Sequence, residues 1–276
     1  MINRIIRQYK GALIVSTKGL DKNLVHNLTW NEFAQRVDEN YIFIIPTGSI
    51  EEHGPHMPLG MDNMSAYEIS MGLTTRYHAV VMPPLTYGYR SQATIGGGDF
   101  FPGTTSVGAE AYIYTARDIL LDLLRHDVRR IVFVNGHLEN MFFLTEAIEL
   151  ARRNHLLEDA KILLTSWDLF IKESTLDIVH DGKFPGWALE HAAVNETSLM
   201  LSLRPEVVDM DKLPDEPASR VLDYSVFPPA PDSVTKNGAL CPATGASVEK
   251  GNLLLDDIWA GYERTFSIEF GLEPRT

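Results

Sequence analysis

The chain has very little cysteine and no long apolar run. Its 276 residues include a single cysteine, Cys241, so an internal disulfide and a cysteine-rich zinc site are both excluded. No stretch approaches the roughly 18 consecutive apolar residues that indicate a membrane-spanning helix. The apolar segment GALIV (11–15) is too short for the core of a signal peptide, and no small-residue cleavage site follows it. We therefore expect a cytoplasmic protein that does not bind a membrane.

Positive charge is also scarce. The chain has 24 lysines and arginines against 37 aspartates and glutamates, which gives a formal net charge of −13. Proteins bind phosphate backbones through clustered lysine and arginine side chains, so nucleic acid is not an expected partner. The hydrophobic fraction of 45% and the charged fraction of 22% are ordinary for a globular protein. A chain of this length can form one α/β domain, and we expect a single domain over residues 1–276.

What the chain does contain is an alternation of apolar strands and amphipathic helices. Repeated β-α alternation predicts a mostly parallel sheet with helices on both faces, which is an α/β fold. The segment 212–250 is rich in proline, aspartate, alanine and glycine, and is expected to be a surface excursion or an interface arm. Strands are predicted at 41–48, 79–85, 129–134 and 161–167, and helices at 62–77, 108–126, 140–154, 196–208 (ending near Pro205) and 253–270.

Two polar clusters directly follow predicted strands. Glu51 and His53 lie two residues apart in GSIEEHGPHMPLGMD (48–62), so an extended backbone points both side chains to the same side. Asp62 opens the next helix, and NGHLEN (135–140) repeats the spacing with His137 and Glu139. Ligands of parallel α/β sheets bind beyond the carboxyl ends of the strands, so these side chains are expected to converge.

This set of side chains is the one that hydrolytic metal pairs use. Imidazoles and carboxylates suit Zn²⁺ or Mn²⁺, and one carboxylate can bridge two ions. Each part alone has a simpler interpretation, because an E-x-H after a strand is usually a polar loop and Asp62 alone can cap a helix. Two matching clusters at equivalent strand ends favour the metal site.

A third cluster and a long loop complete the candidate residues. GWALEHAAVNETS (186–198) contains Glu190, His191 and Glu196 beside Trp187. By spacing alone, His191 is equally a proton shuttle or a hydrogen-bonded core histidine, and Trp187 and Trp167 either pack or wall a flat substrate. The glycine-rich segment 87–106 is too long for an idle connection and predicts a functional loop, in which Ser91 or Gln92 contacts substrate.

Four motifs in this order resemble the creatininase (creatinine amidohydrolase) family. They are GSIEEHGPHMPLGMD, YGYRSQATIGGGDFFPGTTS, NGHLEN and LEHAAVNETSLM, and the similarity extends from LTWNEF (28–33) to the terminal helix. The resemblance implies a three-layer α/β/α fold, two divalent ions (Zn²⁺ or Mn²⁺) per subunit and a homohexamer. It also implies that Glu51 and a histidine hold one ion, that His53 and an acidic residue hold the other, and that Asp62 bridges. The remaining ligands then fall on His137 and Glu139.

The resemblance implies a hydrolase that opens a small cyclic amide, with creatinine to creatine as the expected reaction. A metal-bridged hydroxide attacks the ring carbonyl, backbone N–H groups near Gly136 stabilise the oxyanion, and His191, oriented by Glu190 or Glu196, carries the proton. The predicted catalytic residues are His191, Glu139 and Glu190, and the predicted substrate-binding residues are Trp167, Trp187, Ser91 and Gly136.

Two features depart from the family pattern, and one of them is that the residues around MPLG (57–60) resemble the wider family more than creatininase itself. Leu138 stands inside NGHLEN where creatininase carries an aromatic residue, and leucine cannot donate the hydrogen bond that a tyrosine hydroxyl would. Opening of a cyclic ketone from sugar or cyclitol catabolism, or hydrolysis of a formamide, therefore stays open. A non-enzymatic protein that keeps a metal for stability is the remaining alternative.

Overall fold

The computed structural model describes residues 21–93, 97–153, 159–214, 217–218, 224–229 and 235–275. The apolar segment 11–15 lies outside the described residues, as do parts of the loop 87–106 and of the segment 212–250. No helix within the described ranges is long and apolar enough to cross a membrane.

A four-stranded parallel sheet forms the centre of the molecule. Its strands are β1 (Ile42–Thr47), β2 (Ala79–Val81), β3 (Arg130–Asn135) and β4 (Lys161–Ser166), in the order β2-β1-β3-β4. All three strand pairs are parallel, as predicted. The strand expected at 79–85 ends at Val81, because Pro83 and Pro84 lack the N–H that a strand needs. Thr47, Asn135 and Ser166 are in register at the carboxyl edge of the sheet.

Seven α-helices surround the sheet in the described part of the chain. They are α1 (Trp30–Asp38), α2 (Met61–Arg76), α3 (Ala109–Arg125), α4 (Asn140–Arg152), α5 (Glu173–Val179), α6 (Val194–Leu203) and α7 (Val248–Phe270). The pattern did not predict α1 or α5, which are short. The helix α6 ends two residues before Pro205. The helix α7 begins earlier than predicted, because the Ser247 hydroxyl caps it by accepting the Lys250 N–H.

The apolar side chains of the sheet form two cores, one on each face. Ile44 belongs to a cluster with Leu199 and Ile258, on the side of α2, α6 and α7. Its neighbour Phe43 belongs to a cluster with Leu120, on the side of α3 and α4. Alternation along β1 places consecutive residues on opposite faces. The three-layer α/β/α architecture is confirmed, and it leaves the carboxyl edge of the sheet open for polar residues.

Candidate active site

The start of α2 lies against the carboxyl ends of β1 and β3. A Cβ atom on Gly136 would lie 2.3 Å from the Asp62 carbonyl oxygen, and one on Gly48 would lie 2.6 Å from the backbone nitrogen of Asn63. Only glycine permits this approach at both strand ends. The approach places Asp62, in the first turn of α2, between the segment after β1 and the segment after β3.

Asp62 contacts a histidine with each of its carboxylate oxygens. Its Oδ2 lies 3.1 Å from Nδ1 of His137, and its Oδ1 lies 3.0 Å from Nε2 of His53. Glu51 approaches the same His137 nitrogen, with its Oε2 at 3.0 Å. The donor atoms of Glu51, Asp62 and His137 lie within 4.8 Å of one another, and all three side chains are buried. These three residues could hold one metal ion.

A second group of donors on the other side of Asp62 includes Glu196. Atoms of His53, Asp62 and Glu196 also lie within 4.8 Å of one another, and Glu196 Oε2 is 3.8 Å from His53 Nε2. The motif pattern placed Glu139 as the second acidic ligand. In the structure Glu139 is 3.6 Å from the far nitrogen of His137, Nε2, and it accepts the Gln92 N–H at 2.9 Å.

Sequence reasoning therefore missed Glu196 as a candidate ligand. It named this residue only as a partner for His191. Glu196 lies in the first turn of α6, far along the chain from the two strand-end clusters, and no short-range spacing links it to His53. Only the packing of α6 against the sheet brings the two side chains together.

His191 lies beside both donor groups. Its ring centroid is 4.5 Å from that of His53, and it forms a third possible donor group with Glu51 and His53. Glu190 and Glu196 were expected to orient the His191 ring. In the structure Glu190 accepts the Asn195 N–H at 2.9 Å, and Glu196 accepts the Ala192 N–H at 2.6 Å. The His191 ring instead places Nε2 2.9 Å from the carbonyl oxygen of Glu52.

Buried carboxylates and imidazoles shift one another's pKa values. Burial raises the pKa of Glu190 to about 8 and also raises the pKa values of Glu139 and Glu196. Burial and the charge of His191 would lower the pKa of His53, but the Asp62 and Glu196 carboxylates together raise that pKa to about 9. The pKa of His137 is raised in the same way by Glu139 and Glu51. The carboxylates of the site thus favour positive charge on the neighbouring histidines, and divalent ions could supply that positive charge instead.

A cavity of about 220 Å³ opens onto these residues. Trp167 and Trp187 form part of its wall, with ring centroids 6.1 Å apart and the planes at 71°. Leu138 also lines the cavity and is 49% exposed. Gly136 lines it too, but its own N–H donates to the Thr47 carbonyl at 2.8 Å. An oxyanion donor near Gly136 must therefore come from a neighbouring residue.

The long loop at 87–106 contributes backbone contacts to the site. The carbonyl of Tyr89 lies 3.0 Å from Nε2 of His137, which leaves Nδ1 of that ring facing Glu51 and Asp62. Ser91 is buried, and its hydroxyl accepts the Gly98 N–H at 3.0 Å. It is not among the described residues that line the cavity, so contact between Ser91 and substrate stays a prediction.

Comparisons of the sequence and of the fold find similar known proteins. The family model described as "Creatininase: Creatinine amidohydrolase" matches residues 26–265. A creatinine amidohydrolase of Pseudomonas putida is 39% identical over 251 residues, which cover 89% of this chain and 96% of that protein. A solved manganese form of creatininase has a TM-score of 0.84 at 37% identity, over 90% of this chain and 99% of the other.

Two relatives with other activities match over shorter stretches. A mycofactocin precursor peptide peptidase of Mycobacterium ulcerans is 31% identical over 189 residues, or 62% of this chain and 61% of its own length. A 3-dehydro-scyllo-inosose hydrolase of Thermotoga maritima is 29% identical over 110 residues, or 40% of this chain and 34% of its own length. Proteins similar to this chain therefore act on more than one kind of substrate.

Proposed function

Because the chain belongs to the creatininase family and is an amidohydrolase, we propose that it opens creatinine to creatine at a centre of two divalent ions. The observation that carries this proposal is the position of Asp62, whose two oxygens face His53 and His137 on opposite sides. The creatinine amidohydrolase of Pseudomonas putida is matched over almost its whole length. A solved creatininase variant with a TM-score of 0.83 is a complex with creatine.

We assign one ion to Glu51, His137 and Asp62, and the other to His53, Glu196 and Asp62. The fit is supported by Glu51 Oε1, a buried atom without a hydrogen-bond partner among the described residues. The described cavity lining contains six carboxylate residues but no lysine or arginine, so bound divalent cations would offset charge that otherwise falls to the histidines. Solved creatininases include Zn–Zn and Mn forms, and these ligand types suit both metals.

When bound, a pair of divalent ions lowers the pKa of water and polarises a carbonyl oxygen. The protein's own residues then position the substrate and move the proton. Trp167 and Trp187 hold a flat ring and exclude water from it. His191 lies next to the donor groups and transfers the proton to the leaving nitrogen. Glu139, whose carboxylate is fixed by the Gln92 N–H, and Glu190 are the further catalytic carboxylates in this proposal.

Three expectations about the whole protein accompany this proposal. A single domain over residues 1–276 and a cytoplasmic location both remain predictions. We also infer a homohexamer, which is supported by the large apolar side chains that the described surface exposes. Trp30 is 79% exposed and Phe142 is 83% exposed, and subunit contacts would cover such side chains.

The test is turnover of creatinine by the purified protein, with the metal content measured on the same sample. We expect about two divalent ions per chain, creatine as the product, and loss of activity in chelator that Zn²⁺ or Mn²⁺ restores. Full activity in excess chelator would contradict the metal centre. A metal-loaded protein that forms no creatine would contradict the substrate assignment.

Leu138 supports a second candidate substrate. Its side chain has no hydroxyl, so it cannot donate the hydrogen bond that an aromatic residue such as tyrosine would offer to creatinine. Ring opening of a cyclic ketone is the alternative, since the Thermotoga maritima relative is a 3-dehydro-scyllo-inosose hydrolase. Assaying creatinine, a formamide and an oxidised inosose side by side separates these possibilities, because the metal chemistry is shared and only the substrate differs.

A further inference from the structure

Glu52 lies in sequence between two candidate ligands, Glu51 and His53, and it contacts His191 with both its backbone and its side chain. The Nε2 atom of His191 is 2.9 Å from the Glu52 carbonyl oxygen and 3.3 Å from its Oε1. Both oxygens are acceptors, so this nitrogen carries a hydrogen and donates it. A neutral His191 then has its lone pair on Nδ1.

The other ring nitrogen is free for chemistry. No hydrogen-bond partner of His191 Nδ1 occurs among the described residues, and His191 lines the cavity. Since Nε2 is committed to Glu52, Nδ1 is the nitrogen left to exchange a proton with substrate. If the ring rotated away from Glu52, nothing would fix the hydrogen on Nε2 and the lone pair on Nδ1.

The Glu52 carboxylate is itself enclosed by backbone from two separate loops. A Cβ on Gly238 would lie 1.6 Å from Oε2, and a Cβ on Gly97 would lie 2.2 Å from Oε1. The Gly54 N–H donates to Oε2 at 3.1 Å. Both Gly97 and Gly238 have a positive φ, of 77° and 87°, which favours glycine independently of the space. The carboxylate is therefore held in one place by close contact.

The segment after Gly238 also holds His191 directly. The Leu240 N–H donates to the His191 carbonyl at 3.0 Å. One short stretch of chain thus contacts both Glu52 and His191, and it belongs to the segment 212–250 that the sequence assigned to a surface excursion or an interface arm. Its described part reaches the active site.

We propose that Glu52, clamped by Gly238, is the positioning residue that fixes the orientation and tautomer of His191. The inference rests on the proposed function, because it assumes that His191 carries a proton during hydrolysis. It adds a residue that none of the donor groups contains, and it gives the glycine at position 238 a role in catalysis through Glu52.

The test compares two substitutions in the same segment. Gly238→Ala adds a Cβ that overlaps the Glu52 carboxylate. Gly245→Ala imposes the same left-handed backbone, at φ of 93°, but its Cβ meets only Lys250 Nζ at 3.7 Å. We expect Gly238→Ala to lower kcat about 10- to 100-fold with KM and zinc content unchanged, and Gly245→Ala to keep kcat. Glu52→Ala should lower kcat similarly and add little on the Gly238→Ala background.

A spectroscopic measurement tests the tautomer without turnover. Long-range ¹H–¹⁵N NMR of the zinc-loaded protein should show His191 protonated at Nε2, and this signature should be lost in Glu52→Ala and Gly238→Ala but kept in Gly245→Ala. Unchanged kcat and His191 signals in both variants would overturn the proposal, as would a loss of zinc that matches the loss of kcat. A protein that does not hydrolyse creatinine would refute the proposed function, while the NMR comparison would still decide the role of Glu52.

Discussion

Each of the two histidines among the candidate metal ligands has one ring nitrogen next to a backbone carbonyl oxygen. His137 Nε2 lies 3.0 Å from the Tyr89 carbonyl, and His53 Nδ1 lies 3.1 Å from the Glu51 carbonyl. The opposite nitrogens, Nδ1 of His137 and Nε2 of His53, face Asp62. Such outer contacts fix the tautomer and aim the lone pair at the site. At the scale of single residues, the backbone decides which imidazole nitrogen can bind.

His56 is a buried histidine whose titration should make the protein sensitive to acid. Burial and the charges of His53 and His191 lower its pKa to about 4, while its Nε2 lies 2.9 Å from the Thr197 hydroxyl. The unfolded chain binds a proton at its ordinary pKa of about 6.5, so stability is lost as the pH falls from 6.5 towards 4. Between pH 8 and pH 5 we expect the titration of this residue to lower the free energy of unfolding by about 2 kcal/mol.

Urea unfolding of metal-free protein at the two pH values measures this effect. The parent should lose about 2 kcal/mol more on acidification than a His56→Gln variant, which does not titrate there. Other buried histidines contribute equally to both proteins and cancel in the comparison. An identical pH dependence of the two free energies of unfolding would contradict the prediction.

At the scale of elements, the helices α6 and α7 meet through a glycine. A Cβ on Gly251 of α7 would lie 2.0 Å from the backbone oxygen of Ser198 in α6. The Ser202 hydroxyl of α6 also donates to the Val248 carbonyl at the start of α7. Because α6 carries Glu196, this contact helps to set the position of a candidate ligand.

Gly251→Ala should push α6 and α7 apart and destabilise the protein. The added methyl group meets backbone, which cannot rotate away, so a loss of about 1–3 kcal/mol in the free energy of unfolding is expected despite alanine's better helix propensity. Gly108→Ala is the matched control, since a Cβ there has nothing within 4 Å, and its effect should stay below about 1 kcal/mol. Denaturant titration of both variants measures these changes in the free energy of unfolding. Equal stabilities of Gly251→Ala and the parent would refute the close-packing explanation.

At the scale of the whole molecule, acidic charge dominates and is concentrated in part at the site. The formal net charge is −13, and two divalent ions would offset four of these charges. Each ion that binds only the folded chain stabilises it by about 4 kcal/mol at a free concentration 1,000 times its Kd. For a chain of this size, that corresponds to a rise in Tm of about 10 °C.

Calorimetry in chelator and in excess Zn²⁺ or Mn²⁺ measures this stabilisation. The metal-loaded protein should unfold at least about 10 °C higher than the stripped protein, because one ion already accounts for that rise. An Asp62→Asn variant should show a much smaller difference, because Asp62 contacts both groups of ligands. A Tm that does not respond to metal in the parent would argue against ordered binding at this centre.

Much of the fold was predictable, because its signals are local. Apolar runs at 41–48 and 129–134 correspond to strands β1 and β3, since a buried parallel strand is apolar on both faces. The helices α1 and α5 were missed. The first has a capping box formed by Thr29 and Glu32 but buries none of its residues, and the second has only seven residues. The signal for α1 was present, because Trp30, Phe33 and Val37 have helical spacing after the capping box, and only α5 is too short for a periodic pattern.

The sequence by itself determined the strand-end clusters, the order of motifs and hence the family. The spacing of Glu51, His53, His137 and Glu139 just after two adjacent strands is a property of the chain, and it places their side chains at one edge of a parallel sheet. Only the tertiary structure decided that Glu196 lies beside His53, that Glu52 contacts His191 and that Gly238 lies against Glu52. Those contacts join residues more than 130 positions apart, and such distances close only when helices and loops pack against the sheet.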